Sequence, residues 1–492
     1  MVTRAEDGAA FVGAHKGEII LDKKTSHGIY SKRFNLLSIP IIKWIVNQRF
    51  YPLIFVALNL VVFSIVIFAG FFGTPVGNAN IAIVFVWILW WSLLMLLLVP
   101  GMGRFWCTIC PIPAIGEWVQ RGAIVSKSKN KKLHGKRKGF PKKLKNMWLA
   151  SFGFLGIAIF SGLITTIPLA TGIMLLGLIT VAIISSLYFN KRAFCRYICP
   201  VSGFIGLYSQ TGGLEVRIKD PEVCKNHKTK YCFNGNEKGY GCPWMSSNKN
   251  GSTPPEVNTP CGMCMECVKT CSEDNIAFNI RAPGADLIKP GHRTIDEAFK
   301  AFIMLGAALL YSSVLLGSNG DLKQMANFHD IFGMILYAGF FLTTLLVIIP
   351  SIFWVSSIIT HHLISEKEIT KKEIFTNFAY ANIPLGLMTW IGFSLLIILP
   401  NWVYIVNVIN DPFGFGWHLL GINALAWHPV FTDILPIALA LTILVGLLLS
   451  IRLTRTIAGQ IFTNPKDLFM SFSVQTIFLT MFTFVVLLAF VG

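Results

Sequence analysis

Nine apolar runs constrain this chain more than any other feature. A helix needs about 20 apolar residues to cross a bilayer. Runs of that order lie near residues 50–73, 80–100, 147–165, 167–190, 300–317, 331–357, 379–400, 432–452 and 472–491. Charged residues make up only 13% of the 492, against about 25% in a soluble domain. With 54% hydrophobic residues, this excludes a disordered chain and argues against a soluble enzyme. The expected fold class is an all-α polytopic membrane protein with about nine transmembrane helices. The first apolar run is too long, and begins too late, for a cleaved signal. It is expected to stay as an anchor.

Charge sets the expected orientation. The net charge is +18, and eleven Lys and Arg with no acid stand between Arg121 and Lys145. Short basic loops stay in the cytoplasm. The N-terminus is then inside and the C-terminus outside. Loops 191–299, 358–378 and 453–471 fall inside, where Lys and Arg gather. The expected outer loops hold Asp321, Asp330, Asp411 and Asp433 against Lys323. A juxtamembrane basic loop suits anionic lipid. No nucleic-acid fold signature accompanies it, so no nucleic-acid partner is expected.

Two stretches repeat. The first is Arg104-Phe-Trp-Cys107-Thr-Ile-Cys110-Pro111, and the second is Arg192-Ala-Phe-Cys195-Arg-Tyr-Ile-Cys199-Pro200. Each follows a pair of apolar runs and has Arg three residues before its first Cys. A repeated two-helix unit implies pseudo-symmetry about the membrane normal. Cys107, Cys110, Cys195 and Cys199 would then meet at the inner surface as a metal, thiol or third iron–sulfur site. Buried packing cysteines are the plain alternative.

The other seven cysteines lie in residues 201–299. Cys261-Gly-Met-Cys264-Met-Glu-Cys267-Val-Lys-Thr-Cys271 is C-x2-C-x2-C-x3-C, the bacterial ferredoxin run. Three thiolates at three-residue intervals wrap three corners of a cubane, and the fourth points toward a second cluster. Zinc sites instead pair two close cysteines with a distant second pair. Cys242, followed by Pro243, is expected to complete the first 4Fe-4S cluster with Cys261, Cys264 and Cys267. Cys271 then joins Cys224 and Cys232, one ligand short. His227 could fill that place, or the second cluster could have three irons; the plainer reading of His227 is an exposed loop histidine. Cys271 is followed by Ser272, where such domains usually place Pro.

These motifs resemble the NapH/NosR-type polytopic iron–sulfur proteins, within a wider group that includes CcoG-type proteins. The resemblance covers about residues 50–290. It implies a cytoplasmic two-cluster ferredoxin-like α+β domain inserted into a membrane protein. It also implies electron transfer between the quinone pool and a partner oxidoreductase of a respiratory chain, in the inner membrane and within a multi-subunit complex. The alternatives are CcoG-like copper handling, or a membrane anchor that wires a larger redox complex. The flavin-binding extracellular domain of NosR-type proteins is not expected within this sequence.

The expected segments are 1–49 (cytoplasmic), 50–200 (duplicated membrane core), 201–299 (cluster domain) and 300–492 (five further spans). In the last, His329, His418 and His428 share the expected outer level. They are candidates for a haem b or quinone region, with interfacial anchoring the stronger reading for histidines beside Trp417 and Trp427.

Overall fold

A computed structural model describes residues 32–124, 138–244, 256–313, 324–326 and 331–491. Most of the basic stretch between Arg121 and Lys145, together with Asp321, Lys323, His329 and Asp330, lies outside the described residues. The chain divides into two compact units. The first comprises residues 1–64, 98–150 and 177–286, and the second residues 65–97, 151–176 and 287–492. Each of the first two hairpins contributes residues to both units.

Seven helices among the described residues are long and apolar enough to cross a membrane. They are Leu53–Phe72, Ile81–Met102, Pro168–Tyr188, Ile331–Leu363, Lys371–Asn410, Leu435–Ile461 and Pro465–Val491. The runs at 147–165 and 300–317 are not among these seven helices. The run at 147–165 forms Trp148–Ile159, twelve residues and about 18 Å at 1.5 Å per residue. It breaks at Phe160 before the single turn Ser161–Ile164. Beyond the break, the Thr165 and Thr166 hydroxyls donate to the carbonyls of Ser161 and Gly162, both at 2.7 Å. Such local hydroxyl bonds compete with helical continuation, a feature hydropathy does not register. The run at 300–317 forms Ile295–Tyr311, about 26 Å; residues 314–317 are not among those described.

Helix Ile295–Tyr311 lies in the core of the second unit. Its Ala298, Phe302, Ile303, Met304 and Leu305 are fully buried. It packs against Asn382–Asn410 and Ile349–Leu363, and the buried Trp390 indole donates to the Met304 carbonyl at 2.9 Å. By contrast, Leu435–Ile461 exposes Ile437, Leu441, Leu444 and Leu448, as a lipid-facing helix does.

The first unit carries a three-stranded antiparallel sheet in the order β1-β3-β2: β1 is Arg33–Asn35, β2 Leu214–Ile218 and β3 Ile276–Arg281. Strand alternation sorts the two faces. Val216 and Phe278 join Leu37, Val46, Met263, Met265 and Val268 in an apolar core that also holds Cys261 and Cys267. Glu215 and Arg217 point the other way, into a buried charge network. Glu215 receives Arg33 Nε at 2.6 Å and Arg281 Nη1 at 3.0 Å. Asp286 receives Arg217 Nη2 at 2.9 Å and the Asn258 amide at 2.7 Å. The N-terminal segment therefore supplies an edge strand and the helix Pro40–Asn47 to the cysteine-bearing unit.

Candidate functional site

The ferredoxin run is shaped by backbone that side chains rarely adopt. Met263 (φ 54°) and Met265 (φ 59°) are both left-handed, alternating along Cys261–Cys267. Left-handed turns cost non-glycine residues about 1–2 kcal/mol each. They also turn successive N–H groups inward, forming the concave nest that iron–sulfur sites use. Helix Glu266–Thr270 starts within the run and carries Cys267, and Cys271 follows it in extended backbone. Cys264 and Cys242 stand side by side; that neighbour and burial push the Cys264 thiol far above its ordinary value. Burial, then Cys264 and Cys261, do the same to Cys267. Cys242, Cys261, Cys264 and Cys267 thus form one buried group.

Cys242 is carried by a tight loop. Its N–H donates to the Cys232 carbonyl at 2.7 Å. Gly235 (φ 74°) and Gly241 (φ 76°) pass backbone to backbone, and a Cβ on Gly241 would lie 2.7 Å from the Gly235 nitrogen. Gly262 lies flat against the Trp244 indole, where a Cβ has no room.

Cys224, Cys232 and Cys271 form a second group: burial and then the sulfurs of Cys271 and Cys224 raise the Cys232 thiol. Asn275 ties two of them, its amide N–H reaching Cys271 Sγ at 3.4 Å and its Nδ2 reaching Cys224 Sγ at 3.3 Å. His227 stands beside Cys271's successors. Its Nε2 meets the hydroxyls of Thr229 at 2.6 Å and Ser272 at 3.1 Å, with Glu273 Oε1 at 3.6 Å.

The duplicated motifs bring their four cysteines together. Burial first, then Cys199 and Cys107, raise the Cys110 thiol; Cys195 is raised well above its ordinary value by burial, with Cys199 and Cys110 among its neighbours. Cys199 is pushed up to about 12, chiefly by burial. The unequal spacing has a structural resolution. In the first copy Trp106–Ile109 is α-helical; in the second Phe194–Ile198 is a π-turn. A π-turn absorbs one extra residue. Both second cysteines then reach the same extended backbone, φ/ψ −65°/128° at Cys110 and −62°/119° at Cys199.

Arginines at the matched positions lock this group. Arg192 pairs with Glu117, Nη2 to Oε2 at 3.0 Å, and its Nη1 donates to the Cys107 carbonyl at 2.9 Å. Arg104 donates to Ser202 Oγ and to the Thr259 carbonyl. Both guanidiniums lie over the Trp244 indole, 4.6 Å away for Arg104 and 5.6 Å for Arg192. The Thr108 hydroxyl donates to the Gly262 carbonyl. The four-cysteine group and the ferredoxin loop are thus joined through Trp244 and Thr108.

A family model described as a 4Fe-4S binding domain matches residues 83–141 and 170–217. The matched stretches contain Cys107, Cys110, Cys195 and Cys199, and end before Cys224. The chain therefore carries a 4Fe-4S binding domain beside several membrane-length helices, which supports electron transfer as its work. No curated protein and no solved structure shows a significant match.

The donor chemistry fits iron–sulfur cages. Crowded buried thiols hold one another neutral, and ionising them together calls for a cationic centre. Among the described residues, no three His, Cys, Asp or Glu side chains converge tightly enough for a single metal ion; the ligands of a cubane stand further apart, at its corners. His418 and His428 are exposed on the loop after Asn410, and His418 Nδ1 lies 3.0 Å from the Ile422 carbonyl. His329 lies outside the described residues. Sequence reading missed Trp244, Asn275 and Glu117. Glu117 lies seven residues past Cys110 with no matching partner in the second copy, and no pattern points to the other two.

Proposed function

We propose that this protein is a multi-pass membrane electron-transfer protein, linking the quinone pool to a partner oxidoreductase in a respiratory chain. On this reading Cys242, Cys261, Cys264 and Cys267 hold one 4Fe-4S cluster. Cys224, Cys232 and Cys271, with or without His227, hold a second. Cys107, Cys110, Cys195 and Cys199 hold a third centre. The observation that carries the reading is the crowding of cysteines with one another within one unit of a membrane-helical chain that matches a 4Fe-4S binding domain.

When bound, such clusters take up and give back single electrons. The protein's own residues set the conditions. Asn275 donates N–H groups to two sulfurs, which favours the more negative state of whatever they ligate. Arg104 and Arg192 bring buried positive charge beside the third group, with Glu117 offsetting part of it. Trp244 fills the space between the groups and keeps water out. The basic loops support an inner-membrane placement with the cysteine-rich unit facing the cytoplasm, and the chain working inside a larger complex.

Anaerobic purification, metal analysis and EPR test this. The expected result is enough iron and sulfide for three centres and several EPR-active spins, with reduction by quinol. Copper in place of iron at the Cys-Pro pairs, with no quinol response, would instead favour metal handling. An iron-free protein would refute both cluster and electron-transfer assignments.

A further inference from the structure

The second unit contains a cavity of about 280 Å³, close to the lower end of small-molecule sites. Its wall is built from residues 83–91, the broken helix around Ser161, helix Ile295–Tyr311, Ala326 and helix Asn382–Asn410. Val84–Trp90 is a seven-residue π-helix, a rare form that concentrates at functional sites.

Flat rings line the space. Trp91 and Trp390 meet edge to face at 5.2 Å, and Tyr311 meets Trp390 likewise at 5.7 Å. Among these apolar walls stands the buried Ser161 hydroxyl, which faces the phenols of Tyr311 and Tyr337. The Ser161 hydroxyl is within reach of both phenols, but neither it nor the Tyr337 hydroxyl meets a described residue in good hydrogen-bond geometry. A buried polar group without a partner costs about 1–3 kcal/mol. Ser161 begins the short turn that follows the break at Phe160. The neighbouring Thr165 and Thr166 hydroxyls are committed to their own backbone. Asn401 adds a second polar group to the lining.

We propose that this cavity binds the ring of a quinone, its carbonyl oxygen accepting a hydrogen bond from the Ser161–Tyr311 pair and its plane held among Trp91, Trp390 and Tyr311. A lipid acyl chain would fill the apolar space but leave the hydroxyls unmet. Water would satisfy the hydroxyls but not the aromatic walls. This inference rests on the quinone-linked function proposed above and locates the site away from the exposed His418 and His428.

The test uses the purified full-length protein and isothermal titration with decylubiquinone and with menadione. Ser161→Ala and Tyr311→Phe should each weaken binding of at least one probe about tenfold, and cavity-filling Ser161→Leu should abolish it. His418→Ala and His428→Ala should bind as the unaltered protein does. Iron content and circular dichroism, unchanged in Ser161→Ala and Tyr311→Phe, would show that the fold persists. Equal affinity in those two variants, or displacement of the quinone by a simple decyl amphiphile at equal concentration, would overturn the assignment. Quinol reduction of the clusters at full rate in Ser161→Leu would overturn the cavity while leaving the quinone link standing. An unaltered protein whose clusters accept electrons from dithionite but never from quinol would remove the link itself, and this inference with it.

Discussion

Replacing Glu117 by Gln would leave two buried guanidiniums, Arg192 and Arg121, without their carboxylate. Removing one partner of a buried ion pair costs about 3–5 kcal/mol, because the remaining charge stays desolvated. Glu117→Gln should therefore lower thermal stability in detergent by an amount of that order. It should also raise the reduction potential of the centre at Cys107, Cys110, Cys195 and Cys199, since positive charge then goes unopposed; EPR-monitored titration reads this. A lowered potential would contradict that electrostatic role. The second residue-scale prediction concerns Glu215. Burial raises its carboxyl, but Arg217, Arg33 and Arg281 outweigh burial and hold it below its ordinary value. A carboxyl depressed in the folded state contributes stability above its unfolded value, about 4.3, and that contribution fades as pH falls through the folded value. Unfolding temperature, followed by circular dichroism, should drop below about pH 4. Glu215→Gln should be weaker at neutral pH and flatter across the acid range. The Cys261–Cys271 run was readable in the sequence because cage geometry imposes short, fixed spacings. Trp244 and Asn275 were not, because what defines them is a partner distant in the chain.

At the scale of elements, the loop from Gly235 to Cys242 is the most sensitive. Gly241→Ala would place a Cβ on a left-handed residue and against the Gly235 backbone. Strain of about 1–3 kcal/mol is expected, and with it a displaced Cys242 and reduced iron content, measured per protein against Gly139→Ala, whose Cβ meets open space. The duplicated motifs show what sequence could and could not tell. Their matched Arg and Cys positions were legible. The role of the extra residue in the second copy was not, because only the backbone reveals a π-turn. The broken helix at Phe160 was hidden for a similar reason: hydropathy registers apolar side chains, not a hydroxyl bonded to its own backbone. The strand Arg33–Asn35 was also invisible, being three residues whose pairing partner is β3.

For the whole molecule, the membrane class followed from composition alone. The division into units did not, because it depends on which halves of each hairpin pack together. The helical run Lys371–Asn410 separates the loop around Glu366 from the loop holding His418. A protease site placed at residue 368 should be cut only from the cytoplasmic side of sealed vesicles, and one placed at residue 420 only from the opposite side. Cleavage of both from one side would refute the proposed orientation.

Strand β1 is made before the first membrane span, while its neighbour β3 lies beyond the fourth apolar run and the cysteine-rich loop. At ordinary translation speeds the interval between the two is on the order of tens of seconds. Throughout that time β1 waits without β3, and the thiols have no closed sheet around them. Loading of iron is thus expected to be a late event in biogenesis, and a ribosome stalled before Ile276 would leave a nascent chain embedded in lipid yet unable to retain metal.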